Sequence, residues 1–105
     1  MSMSIEELKK REIEGISLAD VFQIVFLEYR TVVENDSIYI DGIAFHSGNR
    51  VVLEFKGDSA ELYSVIDKNG VYFYKGEKAQ NIFSSIISYA VEEKRRREES
   101  YEVDE

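Results

Sequence analysis

The stretch "IDGIAFHSGNRVVLEFKG", residues 40–57, decides how this chain folds. Two apolar runs flank a His-Ser-Gly-Asn segment, and each alternates with a period of two, the mark of a strand with one buried face. Ile40, Gly42 and Ala44 in the first run share a face with Val51, Leu53 and Phe55 in the second. Small residues stand against large ones there, so that face suits close packing beneath a helix. The opposite face carries Asp41, Glu54 and Lys56. A two-residue turn at Gly48 and Asn49 would put Asp41 opposite Lys56 and Ile43 opposite Glu54. A four-residue turn over residues 46–49 would put Asp41 directly opposite Glu54. Both registers keep the three charged side chains together, because only an odd slip moves a residue to the other face.

The flanking sequence supplies layers for the apolar face. Residues 4–14 are predicted to form a short polar helix, opened by the capping box of Ser4 and Glu7 and closed at Gly15. Ser17 caps a second helix, with Asp20 three positions on. Its stripe is Leu18, Val21, Phe22, Val25 and Tyr29, widened by Ile24, Phe26 and Leu27. That helix is expected to fade into the β-branched "RTVV", and "ENDS" reads as a turn. Strands over 38–45 and 51–56 make the hairpin. Residues 57–59 break the second strand, and 60–66 with 71–75 form another hairpin across "DKNG", whose Asn-Gly is a strong turn signal. A last helix over 77–99 has Ala79, Ile82, Phe83, Ile86, Ile87 and Ala90 on its apolar face, followed by an acidic tail expected to fray. The order α-α-β-β-β-β-α predicts an α/β fold, a mixed and mostly antiparallel sheet flanked by helices.

With 105 residues and 44% hydrophobic content, one domain over 1–105 is expected. There is no apolar run of about 18 residues to span a membrane and no secretory pattern at the N-terminus, so a cytoplasmic location is the default. The chain has no cysteine and a single histidine, His46, which excludes disulfides and cysteine-ligated zinc and leaves hard cations held by oxygen as the metal class. A charge of -8 argues against a general nucleic-acid binder, though not against a local basic groove. Charged residues at 32%, with no Cys and no Pro, suit a thermophile.

Two carboxylates on one face repel when both are ionised, and a divalent cation relieves that repulsion. Mg²⁺ or Mn²⁺ on Asp41 and Glu54 would activate a water, Lys56 would assist it, and the chemistry that needs this set is phosphodiester hydrolysis. Asp41 followed across a hairpin by Glu54-Phe55-Lys56 resembles the D…(D/E)xK signature of the PD-(D/E)XK nuclease superfamily. Within it, the archaeal Holliday-junction resolvases are most alike. The resemblance covers about residues 17–92, leaving 93–105 as a charged helix end and tail. It implies a restriction-endonuclease-like core and a Mg-dependent deoxyribonuclease acting on DNA, branched DNA included. It also implies metal ligation by Asp41, Glu54 and the Phe55 carbonyl, with Lys56 as the catalytic lysine. The family's helix acid falls on Asp20, with Glu28 or Glu34 as alternatives. The chain departs from the pattern in having Ile40 where the family has proline, a longer segment between Lys56 and Val71, and no strands after the last helix.

Those departures keep a second class open: an inactive nuclease-fold relic or an acidic, dimeric protein-binding module, an inhibitor or adaptor. Tyr39, Tyr63, Tyr72 and Tyr74 fit either a sheet covered on both sides by the chain's own helices or a surface for a partner. A homodimer through the tyrosine-rich sheet face or the helices also suits the resolvase likeness, since two sites must cut two strands. His46 reads as a solvated turn residue. The run "EEKRRREES" places Glu92, Glu93, Lys94 and Arg95 four residues before Arg96, Arg97, Glu98 and Glu99, so a salt-laced solvated helix explains it better than a regulator's DNA contact. Arg30, Arg50, Lys56, Lys68, Lys75 and Lys78 would serve phosphates only if they converge.

Overall fold

Ser4 opens the first helix as the sequence predicts. In the computed structural model, which describes residues 3–56 and 61–103, its hydroxyl accepts from the Glu7 N–H at 3.1 Å while the Glu7 side chain accepts from the Ser4 N–H. The helix, α1 (Ile5–Lys10), is shorter than expected. Glu14 and Gly15 both take positive φ, 54° and 81°, which closes a tight hairpin between β1 (Glu12–Ile13) and β2 (Ile16–Ser17). The β-branched Ile13 and Ile16 pair across that ribbon, so the segment read as the end of a helix is extended.

Ser17 then caps α2 (Leu18–Val25), which buries Leu18, Val21, Phe22 and Ile24. Here the structure corrects the sequence reading. The stripe expected to continue to Tyr29 stops at Val25, and residues 26–34 form a strand, β3 (Phe26–Glu34). Beyond a bulge at Leu27, Tyr29, Thr31 and Val33 alternate with Glu28, Arg30, Val32 and Glu34. Aromatic and β-branched residues with a ladder partner favour that extended form over a helix. The partner is β4 (Ser37–Ala44), joined to β3 by a two-residue turn at Asn35 and Asp36 within the predicted "ENDS".

β5 (Arg50–Lys56), β6 (Glu61–Asp67) and β7 (Tyr72–Lys75) follow, and α3 (Gly76–Val103) closes the chain. The five strands from β3 to β7 form an antiparallel meander in sequence order. Lys68, Asn69 and Gly70 turn between β6 and β7 with φ of 54°, 63° and 90°, as the Asn-Gly pair predicts. The order is therefore α-β-β-α-β-β-β-β-β-α: a mixed α/β architecture with a mostly antiparallel sheet and flanking helices, and two elements more at the start and one more strand than expected. The predicted break at 57–59 and strand start at Ala60 lie outside the described residues.

The helices share one face of the sheet. Phe22 of α2 and Phe83 of α3 meet Phe55 of β5 at ring-centroid distances of 6.2 and 5.8 Å, amid Leu8, Ile40, Leu53, Val65 and Ile87. Ile40, Leu53 and Phe55 are strand residues whose alternation pointed inward. Gly42 lies on the same side because the chain passes close to a ring: a Cβ there would sit 2.5 Å from Cδ1 and 2.7 Å from Cγ of Phe26. Gly42→Ala is thus expected to cost about 1–3 kcal/mol by overpacking. A urea titration should show a lower midpoint at unchanged slope; an unchanged midpoint would mean that Phe26 yields freely.

Candidate functional site

The opposite face of the sheet carries no described helix, and the three charged residues of the hairpin lie on it. Their register differs from both expected ones. Asp41 stands opposite Val52, Tyr39 opposite Glu54 and Ser37 opposite Lys56. The loop is longer than a tight turn: the Ala44 N–H donates to the Asn49 carbonyl at 2.8 Å, and the Gly48 N–H donates back to the Ala44 carbonyl at 2.9 Å. The extra slip is by two residues, so the shared face survives and the direct opposition of Asp41 to Glu54 does not. Each carboxyl instead sits among partners of its own.

Asp41 is held between two arginines. Arg50 on β5 donates through Nε and Nη2, both at 2.9 Å, one to each carboxylate oxygen. Arg30 on β3, directly opposite Asp41 in the ladder, donates to Oδ2 from Nη2 at 3.2 Å and from Nε at 3.3 Å. The Arg50 hydrogen bonds, helped by Arg30 and opposed by burial, hold the Asp41 carboxyl below its ordinary value. A depressed folded value means that Asp41 stabilises the fold fully above its unfolded value, about 3.9, and loses that contribution as pH falls through the lower folded value. Asp41→Asn is therefore expected to be less stable than wild type near neutrality, with the gap closing below about pH 4. Thermal unfolding of both proteins across pH checks this; a constant gap would show that the carboxylate's charge contributes nothing.

Glu54 lies in the central strand and is 8% exposed. Ser37 Oγ donates to its Oε2 at 2.6 Å, Tyr39 OH to the same oxygen at 3.4 Å, and Ser64 Oγ to Oε1 at 2.9 Å. Burial and then the charge of Glu54 push the Tyr39 phenol above its ordinary range. Lys56 lies over an aromatic ring, its Nζ 4.4 Å from the centroid of Tyr63, over which Lys75 also sits at 5.2 Å. The Phe55 backbone is in the ladder, opposite Ile38 and Leu62 at a bulge next to Glu54.

Asp20 is not part of this group. It stands at the start of α2, in the helical layer on the other side of the sheet, and bonds Lys94 of α3 at 2.9 Å. That hydrogen bond raises the Lys94 ammonium above its ordinary value. Glu28 and Glu34, the alternatives, belong to β3 rather than to a helix and are exposed on either side of Arg30. Among the described residues no group of three His, Asp or Glu is placed to hold a metal ion. The oxygens of Asp41 and Glu54 accept instead from arginine and hydroxyl donors.

Sequence reasoning named Arg30 and Arg50 as bases that matter only if they converge; they converge, on Asp41. It missed Ser37 and Ser64. Ser37 was readable, since it shares the parity of Asp41 along its strand. Ser64 was not, because it meets Glu54 only through the register set beside the bulge. His46 is exposed in the β4–β5 loop, edge-on to Tyr89 at 4.4 Å. Two of the four pairs expected on α3 form, Arg97 with Glu93 at 3.1 Å and Arg95 with Glu99 at 2.9 Å, while Arg96 takes Glu93 at 3.2 Å, Glu92 takes Arg95, and Lys94 leaves the pattern for Asp20. No described helix is long and apolar enough to cross a membrane. Comparison with protein-family models, with curated proteins and with solved structures found no match.

Proposed function

We propose that this chain is a non-catalytic, protein-binding module, an inhibitor or adaptor, whose working surface is the open face of the sheet. One observation carries this reading: the two carboxylates that the hairpin sets on that face are already satisfied from within. Asp41 is clamped by two arginines and Glu54 by three hydroxyls, while Tyr63 and Phe73 stand 38% and 56% exposed on the same face. A buried carboxylate left unpaired would make docking costly, whereas pre-paired charges among exposed aromatics give a surface that a partner can desolvate. A protein suits it better than nucleic acid. Arg30, Arg50, Lys56 and Lys75 share the face with Glu28, Glu34, Asp41, Glu54 and Glu61, so it holds no surplus of positive charge, and the chain as a whole is at -8.

The test uses immobilised wild type and Phe73→Glu in an extract of the source cells, with folding of each checked by circular dichroism. A protein retained by wild type and by Asp41→Asn, and lost with Phe73→Glu, is the expected result. Identical recovery with both baits would remove the reading.

A metal-dependent deoxyribonuclease of PD-(D/E)XK type, with a restriction-endonuclease-like core, is the second reading. What favours it is that Asp41, Glu54 and Lys56 do share one open face. Mn²⁺ bound by the folded chain alone would raise its melting temperature, and Asp41→Ala would abolish the rise. No rise, together with no cleavage of linear or branched DNA, eliminates it.

A further inference from the structure

The free edge of the sheet points to an interaction that does not depend on the open-face reading. β3 is nine residues long and, among the described residues, has a strand neighbour on one side only. The Phe45 N–H donates to the Val25 carbonyl just ahead of it, and the bulge lies at Leu27, so the regular free run covers residues 28–34. That run has no proline, no lysine and no further bulge, three of the devices that block an edge, and its charged residues, Glu28, Arg30 and Glu34, are of mixed sign. Val32 and Val33 are 38% and 58% exposed on it.

We propose that this edge pairs antiparallel with the same edge of a second copy, about a two-fold axis through Val32, joining two sheets into one. Charge complementarity selects that occupant and that register. With Val32 on the axis, Arg30 of one protomer stands opposite Glu34 of its partner, and the symmetry makes the pair twice, while Thr31 stands opposite Val33. An axis at Thr31 would set Glu28 against Glu34, and an axis at Arg30 would set Arg30 against itself. An axis at Val33 would leave Glu34 facing Val32. Directly opposed charges of unlike sign favour a strand pair, and like charges disfavour it. Arg30 is free to take part, being 74% exposed and holding Asp41 through Nε and Nη2 alone, which leaves Nη1 for the other protomer's glutamate. The pairing also satisfies the outward backbone N–H and C=O groups of β3.

The chain has no cysteine, so Val32→Cys introduces its only thiol. Opposed Cα atoms on the axis would be about 4.5–5.5 Å apart, within disulfide reach. The two Val33 positions would lie two rows apart, beyond the limit of about 7 Å. Under mild oxidation Val32→Cys is expected to give a covalent dimer about ten-fold faster than Val33→Cys. In sedimentation equilibrium, Glu34→Arg should weaken association about ten-fold by opposing like charges twice, and adding Arg30→Glu should restore it. A wild type that stays monomeric up to about 100 µM, where a micromolar interface is saturated, would overturn the proposal. So would equal crosslinking of the two cysteine variants.

Discussion

Phe55→Ala is expected to lower stability by about 3–5 kcal/mol, the largest loss from any single truncation considered for this chain. Phe55 is 2% exposed and stands where the layers meet, with Phe22 of α2 on one side and Phe83 of α3 on the other. No neighbour can refill its volume without leaving that contact, so the truncation removes apolar burial and leaves a cavity as well. A drop of this size is a large part of a small domain's total of about 5–15 kcal/mol, and corresponds to a fall in Tm of roughly 15–30 °C. Phe55→Leu, which keeps much of the apolar surface, should cost roughly 1–2 kcal/mol. Calorimetry on the three proteins decides the matter. A loss below about 1 kcal/mol for Phe55→Ala would mean that the layers do not meet at this ring. The consequence extends to the open face, because Glu54 and Lys56 flank Phe55 and point outward only while it points inward.

What the sequence revealed, and what it hid, divides along the same line. Which residues of the central hairpin point in and which point out was legible, since alternation in Ile40, Gly42, Val51, Leu53 and Phe55 fixes parity whatever the register. Register was not legible, because it depends on how many residues the loop uses, and a loop closed by Ala44, Gly48 and Asn49 adds one more slip of two. β3 was hidden by competition. Val21, Phe22, Val25 and Tyr29 keep helical spacing, while 28–34 also alternate, and only pairing with β4 decides between them. The neighbours of the two carboxyls were hidden with it. Arg30 reaches Asp41 from that unforeseen strand, and Ser64 reaches Glu54 from the facing strand in a register set beside a bulge that no local pattern marks. A motif of three charged residues was thus correctly placed on one face, while the partners that determine their chemistry came from tertiary pairing.

Glu54→Leu is expected to cost about 2–4 kcal/mol, even though it exchanges a buried acid for an apolar side chain of similar size. Ser37 and Ser64 are 5% and 0% exposed, and both hydroxyls donate to this carboxyl, so its removal orphans two buried donors at about 1–3 kcal/mol each. Glu54→Gln should be far milder, because the amide oxygen still accepts from one serine and the amide nitrogen can donate to the other hydroxyl. Replacing all three, with Ser37→Ala and Ser64→Ala added to Glu54→Leu, should recover most of the loss, since neither buried serine hydroxyl is then left unpaired and the half-buried Tyr39 hydroxyl loses only a long bond of 3.4 Å. This cycle also separates the two functional readings. If Glu54 is part of a self-satisfied surface, Glu54→Gln leaves both the fold and partner retention intact, and Mn²⁺ changes the melting temperature of neither protein. If it is a metal ligand, Mn²⁺ stabilises wild type and not Glu54→Gln, because a neutral amide holds a hard cation far less well than a carboxylate. Denaturant titrations of the four proteins, repeated with Mn²⁺, therefore measure the hydroxyl network and test the metal in one experiment. A near-zero cost for Glu54→Leu would refute the network.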